Sequence, residues 1–246
     1  MRPIFPTWAR LSRSESETGD GLDLASKAGA ALGFVGLLID APSAPLGCWL
    51  DRLALRAAAV SMALEGRPER DVEIRDAWHQ AGPNDDPGPA GRAFALWRRI
   101  AGRSAPLAEP DLAATMARGF GLRSDAALSE AIESARHLSE GALSPLVAAA
   151  EAAAGSVRRC PALPALSLLL ADAVLARRLG WPVTVPLVAI GLEHRALEHR
   201  ALRVGAPDWP RVCLAAVARG GAVAWDRHTE IARRAEILHA VREQLR

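Results

Sequence analysis

The chain has 246 residues, 50% of them hydrophobic, and a formal net charge of +2. That is apolar material for one large domain or two small ones, and too little charge to argue by itself for nucleic acid or an acidic membrane surface. Aromatics make up only 4%, with seven Trp and no Tyr, so the core must come from Ala, Leu and Val, which favours closely packed helices over sheets. Cys48, Cys160 and Cys213 form no CxxC pair, which points to a reducing compartment and away from a zinc site. The first twenty residues contain no apolar core of a secretory signal, so a cytoplasmic, bacterial-type protein is expected.

Residues 1–20 are predicted to be a polar, mobile tail, in which Ile4, Phe5 and Trp8 can tack onto the surface. Residues 22–39 form the first helix; Gly29, Gly33 and Gly36 are expected to admit a close neighbour, and its apolar run is read as too short to cross a bilayer. Ser43 and Pro45 start a second helix that ends at Gly66. In it Arg56 interrupts a stripe made by Trp49, Leu53, Ala59, Val60 and Ala63. Pro68 opens a third helix, with Val72, Ile74 and Trp78 as anchors. The loop 82–89, GPNDDPGP, pairs Asp85 with Asp86. Two carboxylates alone make a poor Mg²⁺ site, and an Asx-type turn before the next helix is the simpler reading. That helix buries Phe94, Trp97 and Ile100. A linker at 104–110 is a candidate subdivision of the helical domain 21–246. A short helix 111–118 follows, then one capped by Ser124, in which Glu133 and His137 make an ordinary i, i+4 surface pair. Ser144 and Pro145 start the next, which is expected to stop at Gly155.

Residues 161–205 are the centre of the pattern. From 163 to 179 a helix is apolar on nearly every face, as expected of a helix surrounded by others, and too short for a membrane span. Asp172 sits inside it among Leu168, Leu169, Leu175 and Ala176. A buried carboxylate must find a partner or give up its charge. Gly180 stops the helix, and Pro182 and Pro186 bracket an elbow at 181–186 that cannot be helix interior. The helix after Pro186 carries LEHRA twice, at 192–196 and 197–201. Five residues turn a helix by about 500°, so His194 and His199 point apart and make no two-histidine metal clamp. Residues 210–221 read as one helix ending at a glycine pair. Residues 222–246 form a last, basic amphipathic helix whose core face is Ile231, Ala235, Leu238 and Leu245.

The fold expected is thus all-α, a single bundle-like array of about ten helices with the elbow at 181–186. No dinucleotide fingerprint, phosphate-binding loop, nucleophile elbow or HExxH motif is present; neither metal nor cofactor is expected. Four stretches in one order carry a resemblance: CWLDRLALRAAAVSMALEGRPERDVEIRDAW, NDDPGPAGRAFALWRRIA, LADAVLARRLGWPVTVPLVA and APDWPRVCLAAVARGGAVAWD. Together they resemble the bacterial family catalogued as domain of unknown function 1403. The resemblance implies a helical intracellular protein and transfers no catalytic residue.

Three functions compete. A non-enzymatic interaction or regulatory role, with a protein partner, fits the lack of a catalytic constellation. A helical ribonuclease of a toxin-like system would use Arg234 to steady a phosphate and His239 for acid–base work, on the loose R-x4-H spacing. Nucleic-acid binding without chemistry would use Arg219, Arg227, Arg233, Arg234 and Arg242, although a charged, solvated helix face is the plainer account. The two sharpest breaks in the core pattern, Asp172 and Arg56, are predicted to meet in the centre, with Arg52, Arg177 and Arg178 as rival partners for the carboxylate.

Overall fold

The structure, a computed structural model, describes residues 3–12, 19–40, 44–82, 85–103, 106–192 and 204–244. The LEHRA duplication from residue 193 onward, with His194 and His199, lies outside them. Among the described residues there are ten α-helices and no strand: α1 (Gly21–Asp40), α2 (Leu46–Leu64), α3 (Asp71–Gln80), α4 (Gly88–Ala101), α5 (Leu112–Phe120), α6 (Ala126–Glu140), α7 (Pro145–Arg159), α8 (Pro164–Arg178), α9 (Leu187–Gly191) and α10 (Trp209–Gln244). The all-α array and the elbow at 181–186 are therefore as expected.

Proline starts and glycine stops delimit most of the helices. A proline lies in the first turn of α4, α7 and α8, where its missing N–H is no loss. Gly121 and Gly180 end α5 and α8 with φ of 70° and 66°, a left-handed turn that glycine enters without strain. The cap of α6 is Asp125, not Ser124: its carboxylate accepts the Leu128 N–H at 2.8 Å. Helix α7 runs through Gly155 to Arg159, because the segment is buried and packing overrides one poor helix former.

α6, α7 and α8 pack as one group, α2 lies on α3 and α4, and α1 runs along α10. The short helix α9 sits between them, touching α2, α8 and α10. Side chains from Phe5 to Trp225 belong to one apolar cluster. Three buried tryptophans tie it together through their indole N–H groups: Trp49 donates to the Ala224 carbonyl, Trp97 to Ser61 Oγ and Trp209 to the Ala150 carbonyl, at 2.8–2.9 Å. The segment around 106–108 is pinned rather than loose, since the Arg136 guanidinium donates to the Leu107 and Glu109 carbonyls.

Several expectations are corrected. The glycine pair Gly220–Gly221 does not end a helix; α10 is continuous for 36 residues. Its glycines serve close approach instead. A Cβ on Gly220 would stand 2.1 Å from the Leu187 carbonyl oxygen, and one on Gly221 would stand 2.5 Å from the Ala31 Cβ. Gly191 mirrors this from α9, where a Cβ would meet the Ala216 carbonyl oxygen at 1.9 Å. Gly29 and Gly33 of α1, by contrast, face open space, and a Cβ on Gly36 would only touch the Trp181 indole at 3.7 Å. α1 has 20 residues and a mean hydropathy of 1.6 in its apolar window, long and apolar enough to cross a membrane by length and composition. Here it packs on α10, with Lys27 buried beside Asp23 at 3.1 Å. Within residues 3–12, Phe5 is buried against Phe34 and Trp225. Arg10 binds Asp226 through two hydrogen bonds. This stretch of the expected tail is therefore docked, although Ile4 and Trp8 stay exposed.

The glycines predict their own mutational signs. Gly220→Ala or Gly191→Ala forces backbone apart and should destabilise by about 1–3 kcal/mol or more. Gly33→Ala, in open space within a helix, should be neutral or stabilise by up to about 1 kcal/mol. Urea unfolding of the three variants checks both signs.

Candidate functional site

Asp172 is fully buried at the middle of α8. Its Oδ1 accepts the Val188 N–H at 2.8 Å and its Oδ2 the Ala189 N–H at 3.2 Å. The Leu187 N–H acts on it too. These are the first N–H groups of α9, which have no acceptor within their own helix. Pro186 precedes that helix and offers no side-chain oxygen. The carboxylate therefore caps α9 from a neighbouring helix. Burial pushes its pKa up from 3.8 to about 8, and the three backbone N–H groups pull against that rise. Asp172 also raises the buried Cys213 thiol, to about 12, adding to the larger effect of burial.

The expected meeting of Asp172 with Arg56 is not how this carboxylate is satisfied. Arg56 lines a separate surface cleft of about 110 Å³, with Arg52 from its own helix, Asp71 and Arg75 from α3, and Arg227 from α10. Of the rival partners, Arg178 donates to the Gly141 and Leu143 carbonyls, and Arg177 is exposed. The apolar pattern identified Asp172 as anomalous, but its partner is backbone, and donation by backbone N–H groups leaves no trace in side-chain identity.

The other sequence candidates, Arg234 and His239, lie on the far part of α10. Arg234 pairs with Glu230 at 2.5 Å, and Glu230 also holds Arg227 at 2.6 Å. His239 is exposed, and five residues separate it from Arg234, about 140° around the helix. No enclosed acid–base site joins the two. This part of α10 leaves the body: every side chain from 236 to 243 is exposed. Ile237, Leu238 and Val241 are 51%, 70% and 46% exposed. Periodicity places Leu238 on a core face; the helix is amphipathic, but at Ile237, Leu238 and Val241 its apolar side is exposed.

In the loop at 82–88, Asp86 behaves as the Asx reading requires. Asp85 accepts the Gly82 N–H and Asp86 the Gly88 N–H, both at 3.1 Å, and Asp86 also pairs with Arg92. Glu133 pairs with Arg136. Among the described residues no cluster of three metal-ligating side chains occurs. A further cleft carries no signal in the sequence. It lies between α3, this loop, α4 and α5, and Trp78, Arg92, Leu96 and Arg118 are among its walls. Its residues come from four segments, none of which is unusual alone.

The geometry defines an all-α protein whose sharpest polar anomaly is a structural cap. The chain belongs to the family described as Protein of unknown function (DUF1403), which matches residues 1–246. Comparison with curated proteins and with solved structures found no match.

The Asp172 cap predicts a pH signature. Its folded pKa of about 8 exceeds the ordinary 3.8, so the folded state binds the proton more tightly. The stability this confers is complete below 3.8, falls as pH rises from 3.8 to about 8, and is gone above that. Asp172→Asn should remove that slope, so that its stability relative to the native protein improves steadily across the window. Asp172→Ala should cost roughly 2–5 kcal/mol, because two buried N–H groups lose their acceptor. Denaturant unfolding at pH 4.5 and 8.5, set as about the two ends of the window, tests both variants.

Proposed function

We propose that this protein is a non-enzymatic interaction protein that docks a protein partner through the projecting end of α10. The observation that carries the reading is the exposure of Ile237, Leu238 and Val241 on a helix stretch whose side chains are all exposed from 236 to 243. Residues 237, 238 and 241 fall at the spacing with which an amphipathic helix enters an apolar groove. Exposed apolar groups gathered on one element favour such an interface. The basic residues of α10 favour a protein over nucleic acid, since Arg227 and Arg234 are both engaged by Glu230, which spends charge that phosphate contacts would need. The free state of Cys48, Cys160 and Cys213 suits a reducing, cytoplasmic setting, and the reading takes the protein as bacterial. α1 serves in it as a core helix.

The test is a Leu238→Glu/Val241→Glu variant. Both positions are exposed, so the thermal midpoint should stay unchanged. A stoichiometric partner retained by the native chain should be lost by about thirtyfold or more in the variant, as for an interface anchor. Failure of the native chain to retain any partner, or equal retention by the variant, overturns the reading. RNA cleavage by the native chain that disappears in His239→Ala would replace it with the nuclease alternative.

A further inference from the structure

The cleft between α3, the 82–88 loop, α4 and α5 encloses about 300 Å³, within the range of small-molecule sites. Its apolar side is formed by Trp78, Pro87, Ala95 and Leu96. The Trp78 ring is held edge-on to Phe94, with centroids 6.0 Å apart. Gly119 lets α5 close onto Leu96: a Cβ there would stand 2.7 Å from the leucine Cδ2. The cleft is thus built by tight packing of three helices.

Its polar side is cationic. Arg92, Arg99 and Arg118 line it against one carboxylate, Asp86. Arg92 pairs with Asp86. Arg99 pairs with Glu109, which is shared with Arg103. Arg118 has a neutral contact, the Thr115 hydroxyl at 3.4 Å. The Nε groups of Arg92 and Arg99 are buried with no acceptor among the described residues. Buried donors without acceptors are costly, and guanidinium groups bind carboxylate or phosphate oxygens through paired donors.

We infer that this cleft binds a small organic anion, with its apolar body against Trp78 and Leu96 and its carboxylate or phosphate held by Arg118 with Arg92 and Arg99. The apolar walls and the volume call for more than a bare anion. The cationic side excludes a neutral ligand of the same shape. This site is independent of the docking end of α10.

Isothermal titration of the full chain with four probes tests it: 1-naphthoate, 1-naphthyl phosphate, neutral 1-naphthol and inorganic phosphate. At least one naphthalene anion should bind about tenfold or more tightly than both 1-naphthol and inorganic phosphate, the ratio of the two anions telling carboxylate from phosphate preference. Arg118→Gln, at an exposed position, should weaken that anion by about tenfold without moving the thermal midpoint. Ala95→Phe should fill the cleft and abolish binding. Absence of saturable binding by both naphthalene anions, equal affinity for 1-naphthol, or unchanged affinity in Arg118→Gln would each overturn the assignment. Arg118→Gln decides the matter even where Ala95→Phe perturbs folding.

Discussion

The acceptance of the α9 N–H groups by Asp172 is the interaction on which the centre of the molecule depends. A helix of five residues cannot sustain itself, because nucleation is costly and few hydrogen bonds repay it. α9 is held from outside instead. Asp172 fixes its first turn, and its flank lies against α10 at two points where glycine removes the side chain, Gly191 over Ala216 and Gly220 over Leu187. Since α9 touches α2, α8 and α10, its position sets how those three helices meet. The arrangement explains why a residue as costly to bury as aspartate stands in a helix buried on nearly every face. An apolar side chain there would leave the start of α9 without acceptors in a site closed to water.

The same interaction carries a penalty. Fully buried, the carboxylate gains three backbone donors yet still holds its proton more tightly than in water. Desolvation therefore outweighs the hydrogen bonds that oppose it, the ranking expected when the donors are neutral N–H groups rather than a cation. No cation is among the groups that shift it, and Arg56 lines a cleft with three other arginines. Cys213, whose thiol the same carboxylate raises, is kept neutral and packs as a small apolar residue.

Much of the fold was legible from local pattern, and the failures share a cause. Apolar periodicity, first-turn prolines and terminal glycines gave the helices and the elbow, because each acts within a few residues of itself. The pattern also singled out Asp172, since a carboxylate among leucines is a local contradiction. It could not name the partner, which is a run of N–H groups 16 and 17 residues away that any sequence would possess. Glycine was ambiguous for a related reason. Gly220 and Gly33 look alike in sequence, and only the packed neighbour separates a close approach from an open face. Phe5, expected to tack on at the surface, became core because Phe34 and Trp225 form its receiving site. The arginine-lined cleft assembles side chains from α4 and α5 beside Trp78 of α3, and no local rule connects them.

Structural necessity also separates the functional candidates from the rest. Asp172 is accounted for by α9, Gly220 and Gly221 by close packing, and the buried tryptophans by the carbonyls and hydroxyl they reach. Other features have no such account. An apolar stripe at Ile237, Leu238 and Val241 stands exposed. Buried Nε donors of Arg92 and Arg99 stand beside an open cleft without acceptors among the described residues. Folding alone favours neither, since exposed apolar groups forgo burial and unmet donors forgo hydrogen bonds. An apolar groove would relieve the first and acceptor oxygens the second. The balance of forgone stability thus supports the readings proposed for the end of α10 and for the cleft, and it sets both apart from the polar anomaly at the core.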